Sequence, residues 1–209
     1  MIFIDLLRYI KMEYLIIVKE LLVCVAAIIT SIVAIKGLYI WRDQLKGTDK
    51  YKLSKHILKK TYNLQDAIIS VRNPFVPSAE SAQRELETKI DTNENERERM
   101  VKNEAYALWK RTEPMFNVLS ELKIAKFETL ALLGKDYIQD IDSMIGKAYE
   151  LKSAQNIYFR MKIDPSVRDQ NLMDKYWKIV YEMPEVEDSY IKDVNDIVSK
   201  IEEKFRAFL

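Results

Sequence analysis

The 209-residue sequence predicts an all-α fold: an N-terminal transmembrane helix followed by a cytoplasmic helical bundle of four to five helices. Three observations predict it. Residues 21–35 carry no charge. Only four glycines and five prolines occur, too few for the turns of a many-stranded sheet. From residue 50 onward, apolar side chains recur at three- and four-residue intervals. A charged content of 31% is too high for a polytopic membrane protein, so the expected organisation is one soluble domain with an anchor.

Residues 1–20 read as a short amphipathic lead-in, with Asp5, Arg8, Met12 and Lys19 as a narrow polar stripe. Residues 21–40 read as the transmembrane helix. At 1.5 Å per residue they cover roughly 30 Å, the thickness of a hydrocarbon core. Lys36 is near enough to the end to snorkel, and Tyr39 and Trp41 fall where an interfacial aromatic belt is expected. A cleaved signal peptide is the main rival. Against it stand a leader of mixed charge, Lys36 directly after the apolar run, and the lack of a clean small-x-small cleavage site.

Arg8, Lys11 and Lys19 precede the uncharged run 21–35, and Lys36, Arg42, Lys46, Lys50, Lys52 and Lys55 follow it within twenty residues. This bias favours an N-terminus outside and a cytoplasmic C-terminal domain. Glu13, Glu20, Ala27 and Ala34 repeat every seven residues, and Ala26, Thr30 and Ala34, like Ala27 and Ser31, have small-xxx-small spacing. Two readings follow. Small residues are common in spanning helices, and Glu20 merely sits at headgroup level. Alternatively the face made by Glu20, Ala26, Ala27, Thr30, Ser31 and Ala34 associates helices into a homo-oligomer.

Residues 41–78 read as a basic juxtamembrane helix ending in a proline turn. Between residues 36 and 72, nine Lys or Arg oppose Asp43, Asp49 and Asp66, giving about +6. Lys36, Arg42, Lys46 and Lys50 are candidate contacts to anionic lipid headgroups. Nucleic acid is not an expected partner, because the whole chain is only +1 and basic groups are not interleaved with stacking aromatics. Leu53, Ile57, Leu64, Ile68 and Val71 form the helix's apolar face until Pro74 and Pro77 forbid continuation.

Residues 79–209 read as the helical bundle domain. Ala82, Leu86 and Ile90 keep helical spacing in 78–90, while 91–99 is polar and compatible with a loop or an exposed helical segment. A long core helix follows through Val101, Ala105, Leu108, Met115, Leu119 and Leu122 to about Leu133, with Pro114 as a kink candidate and Trp109, Phe116 and Phe127 on an adjoining stripe. Gly134 separates it from a helix burying Ile138, Ile141, Ile145, Ala148 and Leu151, its expected antiparallel neighbour. Asp164-Pro165 has the form of a helix start, with Leu172, Tyr176, Ile179 and Val180 on its apolar side. The last helix carries Val186, Tyr190, Val194, Ile197, Ile201, Phe205 and Phe208.

No catalytic, cofactor-binding or metal-binding residue is expected. His56 is the only histidine and Cys24 the only cysteine, which excludes a Ser-His-Asp triad, a His-pair metal site, a Cys-based zinc site and an intrachain disulfide. Four scattered glycines cannot form a phosphate-binding loop. The groups Asp136, Asp140, Asp142 and Glu185, Glu187, Asp188 are acidic, but such groups arise by chance among 32 acids.

Trp41, Gln44, Leu45 and Gly47, then Tyr51, Leu64, Asp66, Ala67, Ile68, Val71, Arg72, Asn73, Pro74 and Phe75 carry a resemblance. In this pattern the chain resembles a group of bacterial single-pass membrane proteins with Trp-x-x-Gln-Leu-x-Gly after the anchor and a Val-Arg-Asn-Pro-Phe run. The resemblance implies a bacterial inner-membrane location and a helical cytoplasmic domain, and it brings no activity. Read from the residues alone, Arg72 bonds the last carbonyls of its helix and Phe75 packs back on the core. The other reading is that Arg72, Asn73, Pro74 and Phe75 form a docking turn.

The leading expectation is a non-enzymatic, membrane-tethered interaction module binding a protein partner. The alternative is a membrane-acting effector of a toxin or phage-defence system whose assembled anchors permeabilise the bilayer. Third comes an enzyme using carboxylate chemistry.

Overall fold

The computed structural model describes residues 2–89, 93–183 and 188–209, and their side chains except those of residues 2–14, 16 and 17. Glu13 in the seven-residue repeat, Ile90 and Val186 on the apolar faces, and the acidic Glu185 and Glu187 lie outside these described groups. The described residues form six α-helices and no strand. Two compact units are present, Met1–Asp49 and Lys50–Leu209.

Helix α1, Ile2–Arg72, is continuous through both units. The lead-in, the apolar run and the basic segment are therefore successive stretches of one helix. In the first unit every described side chain from residue 18 to residue 49 is exposed. This is the one described helix long and apolar enough to cross a membrane, and its apolar stretch has no buried residue. Each Val, Leu or Ile left in water forfeits roughly 1.5–3 kcal/mol relative to burial, so such a surface favours an apolar environment.

The second unit has two apolar clusters that share its two longest helices. Helix α2 spans Ser78–Glu87, α3 Glu96–Leu132, α4 Gln139–Ile163, α5 Gln170–Val180 and α6 Ser189–Arg206. In the larger cluster, Leu53, Ile57, Leu64, Ile68 and Val71 of α1 meet Met115, Leu119 and Leu122 of α3. Ile141, Met144, Ala148 and Leu151 of α4 and Val194, Ile201 and Phe205 of α6 complete it. The smaller cluster joins Val101 and Leu108 of α3, Tyr158, Phe159 and Met161 of α4, and Met173 and Val180 of α5. The four-residue spacing of Leu64, Ile68 and Arg72, and of Val194, Val198 and Ile201 at four and three, sets one wall of each helix inward.

The helix ends have local causes. Asn95 caps α3 by accepting from the Glu98 N–H at 2.9 Å, and α3 then runs through Pro114 to Leu132. The first turn of α3 thus begins inside the polar 91–99 stretch. At the other end the Leu133 and Gly134 N–H groups both bond the Thr129 carbonyl, at 2.8 and 3.2 Å. Gly134 has φ 92°, a conformation that a side chain would strain, so the chain can turn into the short 3-10 segment Lys135–Tyr137 before α4.

Several sequence expectations are corrected. Asp164-Pro165 does not start α5: the Asp164 carboxylate bonds the Ser166 N–H and hydroxyl and closes a single 3-10 turn, Pro165–Val167. The cap of α5 is Asp169, which accepts from the Leu172 N–H. That shifts the buried face, so Leu172 is exposed and Met173 takes its place. On α6, Val198 is buried where Ile197 was expected and Ile197 is half-buried. Trp109 and Phe127 are exposed, and the adjoining aromatic stripe of α3 is largely a surface.

Helix α2 is helical for a reason other than its spacing suggested. Ala82 and Leu86 are both exposed, Leu86 to 87%, and α2 buries none of its residues. Polar contacts fasten it. Arg84 holds Glu94 at 2.8 Å and Asn103 at 3.0 Å, Asn103 donates to Glu85, and Glu87 accepts from Tyr106 and pairs with Lys110 at 3.0 Å. The Tyr106 hydroxyl, with Lys110 and Gln83, holds the Glu87 carboxyl down to about 2.

Candidate functional site: an arginine-clamped turn at the end of the first helix

The Val71-Arg72-Asn73-Pro74-Phe75 run ends α1, and its side chains divide sharply between inside and outside. Val71 belongs to the larger cluster. Arg72 is fully buried, at 0% exposure, while Asn73, Pro74 and Phe75 are exposed. Phe75 reaches 71%. It does not pack back on the core.

Arg72 bonds helix-terminal carbonyls, but those of α5 rather than of its own helix. Its Nε donates to the Ile179 carbonyl at 2.7 Å, and Nη2 donates to the Lys178 and Tyr181 carbonyls at 3.0 and 2.8 Å. These are the oxygens that the end of a helix leaves without intrahelical donors, at the negative end of its dipole. The Arg72 carbonyl in turn accepts from the Glu182 N–H at 2.8 Å.

The charge is balanced by Asp188, whose Oδ2 lies 2.8 Å from Nη2 in an ion pair angled off the hydrogen-bond direction. The other oxygen of Asp188 caps α6 through the Ile191 N–H at 3.1 Å. Below the guanidinium, the Tyr190 ring centroid is 4.7 Å from Cζ, and this contact offsets part of the cost of Nη1, which is buried without a partner. Burial raises the Tyr190 hydroxyl pKa above its ordinary value, so it stays protonated and donates to the Lys147 carbonyl at 2.5 Å. One arginine thus ties the ends of α1, α5 and α6 together.

A second arginine holds the turn from the other side. Arg111 of α3 donates to the Asn73 carbonyl at 2.9 Å and the Phe75 carbonyl at 2.7 Å, and its Nε bonds Glu80 of α2 at 2.7 Å. The Asn73 side chain accepts from the Phe75 N–H at 2.9 Å, closing an Asx turn around Pro74. The backbone of 73–75 is thereby fixed on both flanks while the Phe75 ring stands in solvent. An exposed aromatic side chain on an ordered backbone is a form that anchor residues at protein interfaces take.

The structure does not bring the other predicted groups together with this turn. Glu20, Ala26, Ala27, Thr30, Ser31 and Ala34 are exposed on α1. The Thr30 and Ser31 hydroxyls donate to the Ala26 and Ala27 carbonyls of their own helix at 2.8 and 2.9 Å, so their protons are engaged within the helix. Lys36, Arg42 and Lys46 are exposed. Lys50 is half-buried, with its ammonium 5.7 Å from the Phe208 ring centroid.

The acidic groups have structural partners. Asp140 pairs with Lys204 and Asp142 with Lys126, each at 2.5 Å, while Lys204 also donates to the Asp136 carbonyl. Among the described residues no group of three or more His, Cys, Asp or Glu is placed to hold a metal ion. The sequence reading missed Arg111, and it noted Tyr190 only on the apolar face of the last helix and Asp188 only as a member of an acidic run. No local pattern marks Arg111, whose contacts lie more than thirty residues away. Its one visible signal is a cation on the face of α3 that carries Leu108 and Met115.

No known family model matches the chain, and no curated protein or solved structure is significantly similar to it.

Proposed function

We propose that the chain is a membrane-anchored helical interaction module, an accessory or scaffold subunit that binds a protein partner at the cytoplasmic face of a bacterial inner membrane, with its N-terminus outside. The observation that carries this reading is the exposure of Phe75 on a turn whose backbone is locked by Arg72 and Arg111. An apolar aromatic at 71% exposure adds nothing to the fold, and a turn already ordered loses little entropy on docking. The exposed apolar stretch of α1 supports the anchor, and the cation bias after it supports the orientation.

Affinity purification of the solubilised full chain, beside Phe75→Asp, tests the module. A protein recovered with the native chain is expected to be lost with Phe75→Asp, while the thermal midpoint moves by less than about 2 °C because the ring packs on nothing. Equal recovery with both forms would remove the turn from the reading, and no specific partner at all would remove the module.

A second reading is kept on one observation, the continuous exposure of Ala26, Ala27, Thr30, Ser31 and Ala34 on α1. In it, self-associated anchors act on the bilayer as a toxin or phage-defence effector. Ala27→Leu with Ala34→Leu is expected to leave insertion intact and abolish crosslinked oligomers of the full chain in the membrane. Oligomers unchanged by the pair would exclude association through this face.

A further inference from the structure

A cleft of about 420 Å³ between α3 and α4 is lined by cations and by no carboxylate. Arg84 and Lys102 stand on one side. Both are already committed, since Glu94, its side chain almost wholly buried, bonds each of them at 2.8 Å. Lys152 and Arg160 of α4 are different: among the described residues neither has a carboxylate within ion-pair distance. Burial lowers the pKa of the Lys152 ammonium, and no acidic group counters that effect. Two cations outside any ion pair, Lys152 with no acidic group acting on it and Arg160 with only Asp164 acting through space, are separated by about 12 Å along one helix and make an anion-seeking edge.

Between them along α4 lies Gln155, 3% exposed, lining the same cleft with its amide nitrogen unpartnered. Its Oε1 is 3.2 Å from the Thr112 hydroxyl, whose single proton is engaged at 2.7 Å by the Leu108 carbonyl. Whichever way the amide is turned, one of its ends has no partner, at a cost of about 1–3 kcal/mol. The opposite wall is aromatic. Trp109 is 44% exposed, and Tyr106 lies beside it with ring centroids 5.6 Å apart.

We propose that this cleft binds a mononucleotide, with Lys152 and Arg160 meeting the phosphate, Trp109 supplying planar apolar surface for the base, and the Gln155 amide meeting the base edge. A carboxamide matches a heterocycle edge that offers a donor beside an acceptor, and charge-assisted bonds from Lys and Arg suit a phosphate. Inorganic phosphate alone leaves the aromatic wall and Gln155 unused; an apolar ligand leaves both cations unused. This site is separate from the Phe75 turn, and neither reading depends on the other.

Titration calorimetry of the full chain in neutral maltoside micelles tests it, with AMP, GMP, CMP and UMP as probes beside the matching nucleosides and inorganic phosphate. At least one mononucleotide is expected to bind with a Kd below about 1 mM. Its nucleoside and inorganic phosphate should each bind at least about tenfold more weakly. Lys152→Met and Arg160→Met are each expected to weaken the nucleotide by about tenfold with an unchanged thermal midpoint, since neither side chain carries an ion pair within the fold. Phe75→Asp should leave the titration unaltered. The proposal is overturned if no mononucleotide binds below about 1 mM, if the nucleoside binds as tightly as its nucleotide, or if both cation variants bind like the native chain.

Discussion

Arg72→Met is expected to destabilise the second unit by about 3–5 kcal/mol, the usual cost of removing one member of a buried ion pair. The methionine fills much of the volume, so the loss is electrostatic. The carbonyls of Lys178, Ile179 and Tyr181 lose their donors, and Asp188 keeps its charge at a nearly enclosed position with the Ile191 N–H but without its counter-cation. Arg72→Lys should not rescue it, because an ammonium cannot reproduce a planar fork that reaches the Ile179 carbonyl through one nitrogen and two further carbonyls through another. Denaturant unfolding of the full chain in micelles, read by circular dichroism, gives the difference. A loss below about 1 kcal/mol for Arg72→Met would mean that this network contributes no more than an exposed ion pair.

The second large effect concerns the apolar stretch of α1 and tests whether it is an anchor. Ile29→Arg together with Val33→Arg puts two cations one turn apart near the centre of residues 21–40, on side chains that are exposed and make no contribution to either apolar cluster. At about 2.5–3.5 kcal/mol for each cation near the bilayer centre, insertion loses about 5–7 kcal/mol. The variant is expected to leave the membrane fraction on alkaline extraction, whereas Gln44→Arg with Thr48→Arg stays in it. Denaturant unfolding of the second unit should be unchanged. Continued resistance to extraction by the Ile29→Arg, Val33→Arg pair would show that some contact other than lipid immersion holds the chain.

Helical periodicity made much of this architecture legible in advance. Leu53, Ile57, Leu64 and Ile68 on α1, and Ile141, Ala148 and Leu151 on α4, carry the three- and four-residue spacing and line the larger cluster. At two of the departures from the structure, a polar group had taken over from packing. Asp164 and Asp169 both offer a capping carboxylate, and only the path of the chain decides that the first closes a 3-10 turn and the second opens α5. Hydropathy assigns Arg72 to water. Nothing local to it reveals that orphan carbonyls more than a hundred residues later would surround it. The α4 residues Lys152, Gln155 and Arg160 look like one solvated face until Gln155 proves to be buried and Lys152 uncompensated.

The way α2 is held has its own consequence for the energy landscape. Its attachments to α3 are charge-assisted bonds, and no residue of it enters either apolar cluster. Added salt weakens such contacts while leaving hydrophobic burial intact. Helix α2 is therefore expected to behave as a separate low-stability foldon, its amides exchanging with solvent through a local, ionic-strength-dependent opening while those of α3, α4 and α6 wait for the global transition.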